Sequence, residues 1–297
     1  MKTSIDLVNA WIFLNEDEPV VNGHRLSYKD PGSSYQELIT NNVYKAVDIL
    51  YLCFVTTTPT GLKTVPAGNG NSYTIRMGDG SHPGGLTNQD YMDYILHDAR
   101  QNNPNIKIAV TLEWGNPNVL SDIFSNTSYT DQENADHFAA NLIAYMKAYD
   151  LDGFDIDWES PISGSITQHQ FKLLFTAIGE QFKKQGKKYY LTLSPAEVGR
   201  LDAQTVNTYF DFVNVQLYSG FSPANLFINA GIKKELLAYG AKFESDYQTA
   251  QQAYTEAVKG GYHVITQWRL NSDNFTFEQS QQKELYRLAK PAKVGAY

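Results

Sequence analysis

The stretch that decides the fold is Leu151-Asp152-Gly153-Phe154-Asp155-Ile156-Asp157-Trp158-Glu159. Apolar and acidic residues alternate along it, and successive side chains of a β-strand point to opposite faces. We expect the apolar face to pack under helices; it consists of Phe154, Ile156 and Trp158. The other face points inward and consists of Asp155, Asp157 and Glu159. Neighbouring like charges raise the pKa of carboxyl groups, so this face should hold at least one proton near neutral pH and titrate as one unit.

Apolar runs of similar length recur along the chain, each followed by a helical pattern. Besides residues 151–159, the runs are 4–13, 48–55, 106–113, 189–195, 211–218, 235–242 and 262–268. Capping boxes at residues 130–133 and 34–37 predict two of the helix starts. Strands that alternate with helices predict a parallel sheet, and eight of them predict a single (β/α)8 TIM barrel over residues 1–297.

An open, doubly wound sheet is the alternative fold. It would usually need a glycine-rich phosphate loop after the first strand, but residues 15–18 there read Asn-Glu-Asp-Glu and would repel phosphate. Glycines do occur within residues 56–86, without the spacing of a nucleotide-binding loop. We interpret that segment as an exposed loop between a strand and a helix.

Composition excludes several classes of protein. Of 297 residues, 42% are hydrophobic and 19% charged, which is typical of a globular chain, and no apolar run is long enough to span a membrane. The net charge of −8 gives no electrostatic basis for binding nucleic acid. The lone Cys53 lies in an apolar run and is expected to be an inert core thiol. We expect a monomer.

Neither location nor a metal site is indicated by a motif. The first residues lack the pattern of a signal peptide, which leaves a cytoplasmic protein, non-classical export or a mature secreted fragment open. The six histidines show no metal-ligand spacing, so no metal is expected from them. For the carboxylate strand, a solvated edge and a hard-metal site are alternatives. A calcium loop fits poorly, because Ser160 and Ile166 stand where the turn glycine and the bidentate acid belong.

Residues 152–159 resemble the D-G-x-D-x-D-x-E motif of family 18 glycoside hydrolases. That family contains chitinases and endo-β-N-acetylglucosaminidases on a (β/α)8 barrel, with this motif on strand four. Residues 191–195, 213–218 and 266–268 are similar to its strands five, six and eight. One departure is Thr-Leu-Glu-Trp-Gly at residues 111–115, where the family usually has an S-x-G-G turn after strand three.

The resemblance implies roles for individual residues and no cofactor. Glu159 would be the general acid, and Asp157 would hold the acetamido N–H of the sugar in subsite −1. Asp155 would tune the proton of Asp157, Tyr218 would orient the acetamido oxygen, and Trp268 would stack under the sugar ring. Tyr218 and Trp268 could instead be core aromatics.

Three further residues are candidate substrate contacts. Gln216 lies two residues before Tyr218 and should share its face. Glu113 and Trp114 are either cleft residues or a structural corner.

The leading function is that of a chitinase acting on N-acetylglucosamine polymers. An endo-β-N-acetylglucosaminidase that cuts N-glycan cores needs the same subsite −1, and a lectin on an inactive barrel would be expected to lack the acid. Strands seven and eight are separated by only about twenty residues, mostly one helix. We therefore expect a barrel without the small α+β insertion domain that some members carry there, with an open cleft and endo action.

Overall fold

Eight strands form the framework of the protein in a computed structural model that describes residues 4–61, 72–218, 223–244 and 247–290. The strands are β1 (Leu7–Phe13), β2 (Ile49–Pro59), β3 (Lys107–Leu112), β4 (Gly153–Trp158), β5 (Tyr190–Pro195), β6 (Phe212–Val215), β7 (Leu237–Lys242) and β8 (Val264–Trp268). Each strand lies within one of the predicted apolar runs, except that β2 extends beyond residue 55 to Pro59.

A helix follows every strand. The helices are α1 (Ser34–Thr40), α2 (Asn88–Asn102), α3 (Asp131–Ala148), α4 (Gln168–Lys183), α5 (Ala203–Tyr209), α6 (Ala224–Asn229), α7 (Ala250–Gly260) and α8 (Phe275–Ala289). The strands pair in the order β1-β8-β7-β6-β5-β4-β3-β2, and β1 also pairs with β2. The sheet is therefore closed, which confirms the (β/α)8 barrel and excludes the open doubly wound sheet.

The chain forms two compact units. The first contains Met1–Cys53, Gly78–Ile108 and Ala238–Tyr297, and within it β1 pairs in parallel with both β2 and β8. The second contains Phe54–Met77 and Ala109–Leu237. Within this second unit, β4 lies between β3 and β5, so Asp155 is level with Thr111 on one side and Thr192 on the other.

The two predicted helix starts have different outcomes. Thr130 is the N-cap of α3, because its hydroxyl accepts from the backbone N–H of Glu133 at 3.2 Å while the Glu133 carboxylate accepts from the Thr130 N–H at 2.8 Å. The second box is wrong by one residue. Ser33 is the N-cap of α1, and the buried Ser34 hydroxyl donates to Glu18 instead.

The interpretation of residues 56–86 as an exposed loop is also wrong in part. Strand β2 continues to Pro59, and Tyr73–Met77 returns alongside it as an antiparallel strand. Ile75 of that strand is fully buried. β-Branched residues on both strands outweigh the glycines near them, because they suit a half-buried pleated surface. Residues 62–71 lie outside the described residues.

The connection from β7 to β8 is short, as expected. Between Lys242 and Val264, the described residues contain the single helix α7. The described ranges include no helix with the length and apolar character needed to cross a membrane.

Candidate active site

Strand β4 carries its acidic face inside the second unit. Asp155 is fully buried and Asp157 is 8% exposed, while Glu159 follows the end of the strand and is half-buried. On the opposite face the Trp158 ring packs edge-on against Phe171 of α4, with 5.1 Å between centroids. The predicted division of the strand into an acidic inner face and an apolar outer face is thus confirmed.

Asp155 is held by hydroxyl groups of the neighbouring strand β5. The Thr192 hydroxyl donates to it at 2.6 Å and the Ser194 hydroxyl at 2.9 Å. Burial raises the pKa of Asp155 to about 6, although hydrogen bonds from Thr192, Ser194 and Thr111 oppose this rise. Asp155 therefore changes charge close to the neutral range instead of being permanently ionised.

Asp157 is almost completely buried, and it lies between Asp155 and Glu159 along the chain. The pKa of Asp157 is raised well above its ordinary value, first by burial and then by the charges of Glu159 and Asp155. Burial thus favours the protonated form of Asp157.

Gln216 connects Asp157 and Glu159 to the rest of the site. It follows strand β6, and its side-chain Nε2 donates to Glu159 Oε1 at 2.8 Å and to Asp157 Oδ1 at 3.2 Å. The backbone oxygen of Ser194 is a third acceptor at 3.2 Å. The Tyr218 hydroxyl donates to Gln216 Oε1 at 3.4 Å, so the two side chains do share one face.

Three polar residues that support the carboxylates were not singled out from the sequence. Thr192 and Ser194 bond Asp155, and the Asn214 side-chain amide donates to the Ser194 hydroxyl at 3.2 Å. All three are buried. A signal for them existed, because they are polar positions alternating with apolar ones on β5 and β6, at the level of the acidic face.

Two of the candidate substrate contacts lie just after β3. Trp114 is 42% exposed. Glu113 is half-buried, and its backbone N–H donates a hydrogen bond to the Val55 carbonyl at 3.0 Å. Among the residues that the structure describes, no hydrogen bond joins either side chain to the carboxylates of β4.

Trp268 ends strand β8 in the first unit. Its half-buried ring lies 6.2 Å from the Trp11 ring and 6.3 Å from the Phe13 ring, measured between centroids. One side of Trp268 thus rests on the aromatic residues of β1, and part of the ring remains accessible.

No group of three or more His, Cys, Asp or Glu side chains in the described ranges is arranged to hold a metal ion. Cys53 is buried.

The family model for Glycosyl hydrolases family 18 matches residues 26–273. The chain belongs to this family. Chitinase A1 from Niallia circulans is 26% identical over 140 residues, which are 41% of this chain and 19% of that protein. The Endochitinase from Brugia malayi is 26% identical over 195 residues, 60% of this chain and 38% of that protein. The matches therefore span well under half the length of these two relatives.

Solved structures of family 18 proteins share the fold along nearly the whole chain. A chitinase from Cycas revoluta in complex with (GlcNAc)3 has a TM-score of 0.63 and 14% identity, covering 94% of this chain and 99% of that one. Human YKL-39, a pseudo-chitinase with retained chitooligosaccharide binding properties, has a TM-score of 0.63 and 11% identity, covering 98% and 100%.

Proposed function

We propose that this chain is a chitinase, which hydrolyses β-1,4 linkages next to N-acetylglucosamine inside chitin or chitooligosaccharides, with retention of configuration. The observation that carries the proposal is that Asp157 and Glu159, at the carboxyl end of β4, both accept hydrogen bonds from the Gln216 side chain. Barrel enzymes place their catalytic groups at this end of the strands. The names of the two relatives, a chitinase and an endochitinase, agree with it.

Glu159 acts as the general acid. It transfers its proton to the glycosidic oxygen as the bond from that oxygen to the anomeric carbon breaks. Family 18 enzymes depart from the two-carboxylate scheme, because the substrate supplies its own nucleophile. The acetamido oxygen therefore bonds to the anomeric carbon and forms an oxazolinium ion. Water then attacks that carbon, Glu159 accepts its proton, and the bond to the acetamido oxygen breaks.

The neighbouring residues hold the acetamido group in place. Asp157 accepts the acetamido N–H as positive charge develops there. The hydroxyl groups of Thr192 and Ser194 stabilise negative charge on Asp155. Tyr218 turns its hydroxyl from Gln216 to the acetamido oxygen; at 3.4 Å its present bond is long for a hydroxyl donor. Gln216 keeps Glu159 and Asp157 together during both steps.

Trp268 supplies the stacking surface under the sugar ring in subsite −1. Glu113 and Trp114 contact neighbouring sugars of the chain. The exposed Trp114 ring suits a sugar face, since both the ring and the C–H side of a pyranose are apolar.

The test compares three proteins on two substrates. The proteins are wild type, Glu159→Gln and a control, Glu180→Gln, on the surface of α4. Each is incubated with chitohexaose and with a high-mannose glycoprotein, and the products are identified by mass spectrometry. We expect wild type and the control to shorten chitohexaose, and Glu159→Gln to be about 10²–10⁴-fold slower while still binding it.

Three results would contradict the proposal. Equal rates for Glu159→Gln and wild type would show that Glu159 is not the general acid. Release of glycan from the glycoprotein, with chitohexaose intact, would instead identify an endo-β-N-acetylglucosaminidase. Binding of chitohexaose by the wild type without any cleavage would identify a lectin.

A further inference from the structure

The arginine after Trp268 lies against two aromatic rings of the first unit. The Arg269 guanidinium carbon is 5.4 Å from the centroid of the Trp268 ring and 5.7 Å from that of Phe13. These two rings are themselves 6.3 Å apart. A guanidinium group near the face of an aromatic ring is attracted by it, and this attraction strengthens as water is removed.

Glu16 fixes the position of this guanidinium group. Its carboxylate forms an ion pair with Arg269 Nη2, and the side chains are only 19% and 17% exposed. Solvent and salt therefore weaken this pair less than a pair on the open surface. Burial raises the pKa of Glu16, and the charge of Arg269 opposes the rise. Glu16 is in turn held to the end of β1, because its N–H donates to the Phe13 carbonyl at 3.2 Å.

The backbone around Arg269 is also anchored. The Leu270 N–H donates to the Trp11 carbonyl at 2.9 Å, and Gln267 Nε2 donates to the Arg269 carbonyl at 2.6 Å. By contrast, Arg269 Nε is buried without a hydrogen-bond partner among the described residues. Leaving this donor unpaired costs free energy. The side chain is thus placed for its contacts with the rings and Glu16 rather than for the largest number of hydrogen bonds.

We propose that Arg269, held by Glu16, is a positioning residue that sets the plane of the Trp268 ring for stacking on a sugar. The proposal rests on the proposed function, which gives Trp268 the sugar of subsite −1. Trp11 supports the Trp268 ring at 6.2 Å, and Arg269 prevents it from rotating away from that support. Lysine would preserve the charge but not the planar surface or the paired donors of arginine.

The experiment follows the Trp268 ring and the enzyme kinetics separately. The chain has four tryptophans, so protein labelled with 5-fluorotryptophan gives four 19F resonances. The resonance that is missing from Trp268→Phe is that of Trp268. We expect Arg269→Gln to shift or broaden this resonance selectively without substrate. On chitohexaose it should lower kcat/KM about tenfold, mainly through KM.

Two further variants separate positioning from folding. Arg269→Lys should fall between wild type and Arg269→Gln in both readouts, and it replaces Arg269→Gln if that variant does not fold. Glu16→Gln combined with Arg269→Gln should be no worse than Arg269→Gln alone, because both remove one shared interaction. The matched control is Glu284→Gln with Arg287→Gln, an exposed Glu–Arg pair on α8, which should change neither readout.

An unmoved Trp268 resonance in both Arg269 variants would overturn the proposal. A moved resonance with the KM of wild type would overturn it too, because the ring plane would then not matter for the sugar. If wild type does not cleave chitohexaose, the proposed function fails on its own, and the resonance alone decides whether Arg269 positions the ring.

Discussion

At the scale of single residues, the site depends on where protons reside. The pKa of Asp157 is raised well above its ordinary value, and that of Asp155 is raised to about 6. The cause in each case is burial before charge: these carboxyls lie inside the second unit, where water cannot stabilise an anion. The hydroxyl groups of Thr192 and Ser194 replace part of that lost hydration. Asp155 and Asp157 therefore keep their protons at pH values where free aspartates are already ionised.

The stability of the protein should record the raised pKa of Asp155. Because the folded pKa of about 6 exceeds the ordinary 3.8, Asp155 contributes stability that is fully present below pH 3.8 and is lost as the pH rises through 6. About two pKa units correspond to ~3 kcal/mol. Asp155→Asn imitates the neutral carboxyl, so its free energy of unfolding should fall by about 3 kcal/mol less than that of wild type between pH 4 and pH 7.

Urea denaturation at several pH values measures this difference. The control is Asp93→Asn on the exposed surface of α2, whose curve should run parallel to that of wild type. If the Asp155→Asn curve also runs parallel to that of wild type, Asp155 is already ionised at pH 4 and its pKa is not raised by folding.

At the scale of elements, strand β4 needs close neighbours on both sides. A Cβ atom added to Gly153 would lie 2.9 Å from the Tyr190 carbonyl oxygen and 3.0 Å from the Ala109 Cβ. Strands β3 and β5 thus leave no space for a side chain at the start of β4. The glycine of the family motif has a packing role here, since it allows β4 to sit at the level that aligns Asp155 with Thr192.

Gly153→Ala should therefore destabilise the protein by about 1–3 kcal/mol, because the backbone of β5 must shift to accommodate the methyl group. The measurement is the Tm together with activity on chitohexaose. Gly186→Ala is the control, because nothing lies within 4 Å of a Cβ atom at that position. Equal Tm values for the two variants would mean that β4 and β5 are less tightly packed than the structure indicates.

At the scale of the whole molecule, the fold gathers the ends of several strands into one candidate site. The carboxylates come from β4, their hydroxyl partners from β5, and the amide that bonds them follows β6. The proposed mechanism adds a nucleophile from the substrate itself. The 2-acetamido group of the sugar is thus a component of the reaction.

The proposed mechanism predicts which substrates are cleaved, because it requires a 2-acetamido group on the sugar. Wild type should cleave chitohexaose at the same rate before and after treatment with EDTA, and it should leave cellohexaose and fully deacetylated chitohexaose intact, because neither carries an acetamido oxygen. Product analysis by mass spectrometry checks all three substrates in one assay. Cleavage of cellohexaose would show that the acetamido group is not the required nucleophile.

Local pattern was sufficient to predict the strands, one of the two proposed helix starts and the carboxylate face. Hydrophobic periodicity and capping are properties of a few consecutive residues, so the eight strands and the α3 N-cap could be derived from the chain alone. The same alternation placed Asp155 and Asp157 on one face of β4. The hairpin strand Tyr73–Met77 was missed because the glycines nearby indicated a loop, whereas its stability comes from pairing with β2.

The sequence by itself determined which residue types occupy the acidic strand and that this strand belongs to a barrel, since alternation and motif spacing are encoded along the chain. Only the tertiary structure decided which residues support the carboxylates and which carboxyls keep their protons. Thr192, Ser194 and Asn214 act through the register between neighbouring strands, and the pKa of Asp157 depends on burial. Arg269 lies beside Glu16 although 252 residues separate them along the chain. Register, burial and distant pairing are relations between segments, and they exist only once the chain has folded.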